Sequence, residues 1–394
     1  MATQAGVGFS SNKDAYQAGY EACGLAMKKA GIEKPDLLIA FSSIGLNQKE
    51  VVRAINEASG RAPLIGCSDA GEITNQGASQ GGLAVMAIKS DSIKFTLGTG
   101  GKIEDGAREA GESLAKDIAG KSSEKISSLV MLTDVLKGNG ADIVRGAQEV
   151  LGKDFLIFGG AAGDDFKFQE TFVYYLDQVL PSSIVGVGLS GNFSLGTGVR
   201  HGWIPVGLPK TVTKSHGAVV EEIDGKPAVG IYEEYFGKKA EELRTEPLAI
   251  MAITYPLGIS VEGSDELLIR DPITVDDKGA ITCAAEIPEG SEVRLMIGNK
   301  DEAISAAKDA AQKALSQLNG IPPKAVIIFN CIARNKLFGN DASDEIRAIQ
   351  SIMGADVPLI GFYTYGEQAP IGGNITRPFS CFHNETAVIL ALGE

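Results

Sequence analysis

Asn330, Cys331 and Arg334 follow directly on an apolar run and offer an amide, a thiol and a guanidinium within one short stretch. Tyr363, Tyr365 and Glu367 come next, then His383, Asn384 and Thr386. An arginine grips a carboxylate through two parallel N–H bonds, and a glutamate receives an ammonium group. Arg334 and Glu367 could therefore read the two ends of an amino acid, or they could pair with each other and fix a turn. Cys331 with His383 suggests a different chemistry, a thiol nucleophile beside an imidazole, with Glu367 as an alternative acid–base group. Arg334, a turn of chain away, could lower the thiol pKa. A buried cysteine, by contrast, is simply a small apolar residue, which is the reading for Cys67 and Cys381.

Other chemistry is poorly supported. The three histidines, His201, His216 and His383, show no HxxxH or HExxH spacing, so no metal site is expected. GGAAGDD (159–165) looks like a phosphate loop but lacks the GxGxxG spacing and a lysine, and its acids would repel a phosphate. DVLKGNGAD (134–142) suits a turn into a helix, and Trp203 suits packing more than a pocket wall. No cofactor is expected.

The elements that hold these residues recur. PDLLIAFSS (35–43), SSLVMLTD (127–134) and KAVIIFNC (324–331) are apolar on both alternations, as parallel strands covered on both faces must be. Each lies between two helix-like stretches that end at or beside glycine. LIGCSDAGE (64–72), LIFGGAAGD (156–164) and LIGFYTYGE (359–367) then align without gaps, so that Gly71, Gly163 and Gly366 coincide, followed by Glu72, Asp164 and Glu367. An acid after a turn glycine commonly accepts backbone N–H groups, and that reading leads for Glu72 and Asp164. One more apolar strand closes each copy. AGVGFSS (5–11), FTLGTG (95–100) and VRLMIGN (293–299) are read as entries to the three copies, and FSLGTG (193–198) resembles the second entry.

The predicted fold is α/β, with three divergent β-α-β-α-β-β units forming mixed sheets covered by helices. The units span about 4–92, 93–198 and 292–394, and a β-rich lobe fills 199–291 before the third. In open α/β sheets ligands collect beyond the C-terminal ends of parallel strands. That rule points to Ser42-Ser43, Thr133-Asp134 and Asn330-Cys331, and to the loops around Glu72, Asp164 and Glu367.

Composition narrows the partners. The net charge of −14, with no dense Lys/Arg patch, argues against nucleic acid. No apolar run is long enough to span a bilayer, and no secretion signal is visible. Five scattered cysteines without a CxxC pair fit reduced thiols in the cytoplasm.

GAVVEEIDGKPAVGIYEEYFG (217–237), FNCIARNKLF (329–338), GFYTYGEQAP (361–370) and FHNETAVIL (382–390) resemble the C-terminal part of the FIST family. SSIGLNQKE, LIGCSDAGEI and FGGAAGDD resemble its N-terminal domain, so the two FIST-like regions are taken as 1–198 and 199–394. The resemblance implies a sensory protein for small ligands, amino acids among the candidates. Asn330, Cys331, Arg334, Tyr363, Tyr365, Glu367, His383, Asn384 and Thr386 are then the expected ligand contacts. The family is often fused to signalling outputs. None is recognised in this chain, so a separate signalling partner is expected. A thiol or acid–base enzyme using Cys331, Glu367 or His383 is the alternative, and a protein-binding scaffold the third reading.

Overall fold

A computed structural model describes residues 3–237 and 248–394. It is mixed α/β, with three six-stranded sheets of like order and an eight-stranded sheet in the lobe. Sheet I runs Gln4–Ser10, Leu83–Lys89, Leu37–Ser43, Leu64–Asp69. Sheet II runs Ile93–Thr99, Ile184–Gly191, Ser128–Thr133, Leu156–Ala161. Sheet III runs Ser194–Arg200, Ala387–Gly393, Pro323–Cys331, Leu359–Thr364. The last two strands of each foursome are parallel, and every other pairing is antiparallel.

Each sheet is completed by a hairpin taken from another. The hairpin of Glu72–Thr74 and Gly77–Ser79 leaves sheet I and pairs with Leu359–Thr364 of sheet III. Phe172–Tyr175 and Gln178–Pro181 leave sheet II for sheet I, and Glu367–Pro370 and Ser380–His383 leave sheet III for sheet II. The sequence reading expects one strand after each Gly-acid turn; the structure has three, the added pair being this exchanged hairpin. The strands are only three or four residues long, too short to announce themselves by hydrophobic alternation. Exchange closes the three sheets into a ring.

The Gly-acid turns are the crossing points. Gly71 and Gly366 have φ of 133° and 143°, open only to glycine without strain, and a Cβ on Gly163 would lie 2.8 Å from the Ala70 nitrogen. Each following acid gathers local donors. Glu72 accepts from the Gly82 N–H and the Ser79 hydroxyl, Glu367 from the Thr386 N–H and the Thr364 hydroxyl, and Asp164 from four successive N–H groups.

The ring encloses one apolar core. Phe41 of sheet I stacks on Phe362 of sheet III at 4.3 Å, and Phe329 and Phe158 fill the same interior. Helices cover the outer faces, for example Ala15–Ala30 and Gln48–Ser59 over sheet I. Alternating glycines in the entry strands let the helices come close. A Cβ on Gly8, Gly100 or Gly198 would lie 1.9, 2.4 or 1.8 Å from a helix carbonyl oxygen. That requirement identifies the entry strand of sheet III as Ser194–Arg200, which carries Gly196 and Gly198. VRLMIGN (293–299), expected to enter the third unit, has no such glycine pair, and Glu292–Ile297 lies instead at the centre of the lobe sheet. The lobe is thus inserted after the first strand of sheet III. Its Asp224-Gly225 turn has positive φ at both residues, as a tight hairpin requires.

Candidate functional site

The strand Pro323–Cys331 passes without a loop into the short helix Ile332–Phe338, capped by Cys331. This abrupt turn fixes the fate of Arg334. Its side chain is fully buried, and every guanidinium nitrogen has partners: Glu345 at 2.8 and 2.5 Å, and the carbonyls of His201, Ala303 and Glu385. The ring of Trp203 lies 5.3 Å away as a cation–π partner. Asn330 donates to the other Glu345 oxygen at 2.7 Å. Arg334 therefore neither pairs with Glu367 nor offers a free N–H to a ligand carboxylate. Glu345 takes the guanidinium from the neighbouring helix, a long-range partner that chain spacing does not reveal.

Beside this pair lies a cavity of about 50 Å³ where the lobe meets the ring. Cys331, Ile332 and Ala333 form one wall and Asp271, Pro272, Ile273 and Ala284 of the lobe another. Asn384 and Glu385 line its inner side, and Phe166, Phe168 and Tyr365 supply aromatic surface. With Ile253, seven separate stretches of chain meet there. Of the nine expected contacts, Cys331, Tyr365 and Asn384 line the cavity. Asn330, Arg334, Tyr363, Glu367, His383 and Thr386 are buried outside its lining.

The aromatic wall is held by the backbone. Asp165, Phe166 and Phe168 have φ of 58°, 67° and 54°, a left-handed conformation that bulky residues rarely adopt. Asp164 compensates by accepting the N–H groups of Lys167, Phe168, Gln169 and Glu170, and the Tyr365 hydroxyl donates to it as well. Phe168 then stacks on Tyr365 at 4.6 Å, with Phe166 edge-on to it at 4.8 Å.

The inner side is electrostatically unusual. Glu385 is fully buried in a left-handed conformation (φ 54°). Burial, and then the neighbouring Asp271 carboxyl, hold its pKa well above the ordinary carboxylate range. Asp271 is itself raised to about 7 by burial, against the opposing influence of its bond to Glu385 and of Arg270. Such raised values favour a proton held between the two carboxyls. Apart from such a proton between the two carboxyls, no N–H or O–H group of the described residues reaches Glu385 Oε1 or Oε2, Asp271 Oδ1 or Asn384 Oδ1.

The thiol chemistry finds no support in this geometry. Burial, followed by the charge of Glu367, pushes the Cys331 thiol well above its usual pKa. His383 faces Cys381 Sγ at 3.4 Å and the Ala369 carbonyl at 3.0 Å; burial lowers its pKa to about 4 and raises that of Cys381 to about 12. The Cys381–His383 contact is a neutral pair in the exchanged hairpin. Glu367, raised by burial, spends its oxygens on Thr364 and Thr386.

Asp271, Glu385, Phe166 and Phe168 are the lining residues that sequence reasoning missed. Asp271 sits in a dipeptide with Pro272 that reads as an ordinary turn. Glu385 stands next to Asn384, and its neighbour was the only usable signal. A wider groove of about 580 Å³ runs between the helix Gly140–Leu151 and the lobe, where Arg145 bonds Asp142 and Glu286 and Arg108 bonds Glu149.

Comparison with known proteins gives a consistent family. Residues 36–226 match the FIST N domain and residues 228–370 the FIST C domain. An uncharacterized protein of Mycobacterium bovis is 25% identical over 390 residues, covering 93% of this chain and 94% of the relative. One from Mycobacterium tuberculosis is 28% identical over 222 residues, 55% of this chain and only 57% of that relative's length. One from Methanocaldococcus jannaschii is 24% identical over 406 residues, 93% of this chain and 75% of the relative. Among solved structures, a cyanuric acid hydrolase from A. caulinodans overlaps 100% of both chains at 8% identity and a TM-score of 0.39, too low to carry an argument.

Proposed function

The chain belongs to the family that joins a FIST N to a FIST C domain, domains associated with sensory and signal-transduction roles, and on that premise we propose that it is a small-ligand sensor whose ligand enters the cavity between lobe and ring. The observation that carries this reading is the set of buried acceptors that no N–H group of the described residues reaches, gathered around one cavity built from seven stretches of chain. Unmet buried polar groups cost free energy, and a ligand that satisfies them recovers it.

Occupancy would act on the contact between lobe and ring, because Asp271, Ile273 and Ala284 belong to the lobe and Cys331, Tyr365 and Glu385 to the ring. A ligand that prefers the closed arrangement shifts the population toward it, and a separate signalling protein reads the change. No helix among the described residues is long and apolar enough to cross a membrane. Cytoplasmic placement is part of the proposal, supported by five unpaired cysteines.

Thermal unfolding against a panel of amino acids, amines and related metabolites tests the reading. A ligand at about a hundred times its dissociation constant adds about 2.7 kcal/mol. A saturable rise in midpoint, lost when Ala284→Trp plugs the exposed mouth, is expected. A panel without any effect, or an effect unchanged by the plug, defeats the reading.

A further inference from the structure

Building on the sensor reading, we propose that the cavity receives the ammonium end of a small amine and offers no cationic group to hold a carboxylate. The lining is one-sided. Apart from a proton between the two carboxyls, Asp271 Oδ1, Asn384 Oδ1 and both Glu385 oxygens are buried acceptors that no N–H or O–H group of the described residues reaches, and no Lys, Arg or His lines the cavity. Asn384 matters here because it is not an acid: its unmet oxygen, on a side chain only 1% exposed, calls for a donor whatever the protonation of its neighbours. An ammonium group brings three donors and one positive charge, which suits an amide oxygen flanked by a carboxyl pair.

Neither nearby guanidinium group lines the cavity. Arg334 is committed to Glu345 and three carbonyls. Arg270, fully buried, donates to the carbonyls of Glu286, Ile269 and Phe382 at 2.9, 2.9 and 3.0 Å. An α-amino acid would thus gain at its amine and lose at its carboxylate, which would be desolvated with no partner. A metal ion is a poor alternative, since no cluster of three or more His, Cys, Asp or Glu among the described residues could hold one.

The aromatic wall agrees. Phe166, Phe168 and Tyr365 present ring surface to the cavity, and ring faces attract organic cations. Phe166 already does so outside, where the exposed Lys336 ammonium rests 5.4 Å from its centroid. The volume sets the size. About 50 Å³ is roughly a third of the ~150 Å³ that accommodates benzene. An ammonium with one or two carbons fits inside, and a longer tail must leave past Phe168, which is 48% exposed.

Matched pairs on the intact chain test this: ethylamine against alanine and 1,4-diaminobutane against ornithine, as chloride salts at constant ionic strength and neutral pH, read by thermal shift and calorimetry. The amine of each pair is expected to bind saturably and at least about tenfold more tightly than its amino acid, a difference of about 1.4 kcal/mol. Glu385→Gln should keep the fold and lose that preference, and Ala284→Trp should abolish binding of both. Equal or tighter binding of the amino acids, or amine binding that Glu385→Gln leaves unchanged, overturns the inference. If amines fail while another class binds and is blocked by Ala284→Trp, the amine assignment falls and the sensor reading stands. If no compound binds, both fall.

Discussion

Two buried polar clusters lie side by side where the lobe joins the ring, and they are built on opposite terms. In the first, Arg334, Glu345 and Asn330 meet with no exposure, and the ion pair is surrounded by carbonyls that use the remaining N–H groups. In the second, Asp271, Glu385 and Asn384 bring together acceptors that, apart from a proton between the two carboxyls, no described N–H or O–H group reaches. A satisfied buried pair is expensive to break and does nothing when left alone, whereas an unsatisfied one costs stability until something binds. On the proposed reading the first cluster anchors the junction and the second receives the ligand, although Arg334 is the residue that reads from sequence as the ligand clamp.

The contrast can be broken most violently at the anchor. Arg334→Ala leaves Glu345 buried without its partner and should cost about 3–5 kcal/mol, visible as a large fall in the denaturation midpoint. A variant that unfolds at the same denaturant concentration as the parent would show that the pair does not hold the junction. For this reason, loss of binding in Arg334→Ala is no evidence of ligand contact.

Asp164→Ala removes the acceptor of four N–H groups beneath the strained aromatic wall. Bonds to a charged group contribute about 1.5–3 kcal/mol. Limited proteolysis should therefore cut between residues 165 and 171 well before global unfolding. Unchanged resistance there would mean that the loop is held by its aromatic contacts instead.

At the receptor the expected effects are smaller and of opposite sign. Asp271 keeps its proton in the folded chain up to about pH 7 but loses it near ~4 when unfolded. Between those values the folded state binds more protons, so this group's contribution to stability falls as pH rises through that window and levels off above it. Asp271→Asn should flatten the decline and leave the variant relatively more stable at alkaline pH than at acid pH. A denaturation series giving parallel pH profiles for parent and variant would remove the shared-proton account.

The mildest test concerns the thiol. With its pKa pushed up by burial, Cys331 should react with iodoacetamide more slowly than a free cysteine at neutral pH, as peptide mass spectrometry would show. Rapid modification would reopen the nucleophile reading.

Much of the architecture is legible in the chain because it is written in local, repeated requirements. Strands buried on both faces must be apolar throughout, helices end where glycine permits it, and Gly71, Gly163 and Gly366 mark turns that no other residue fits comfortably. The glycine pairs of the entry strands were visible too, yet only the approach of helix carbonyls to Gly196 and Gly198 shows why VRLMIGN could not take that place. The exchanged hairpins escaped because strands of three or four residues draw their pairing from another sheet. The site divides in the same way. The sequence alone named Cys331, Tyr365 and Asn384, which follow strands or turns where a ligand has access. It could not tell that Arg334 is consumed by Glu345, nor that Asp271 of the lobe meets Glu385 of the ring. Residue types set which groups can carry charge or donate a hydrogen bond. Which of them are paired and which are left waiting depends on contacts between distant parts of the chain, and those exist only once the ring has closed and the lobe has docked.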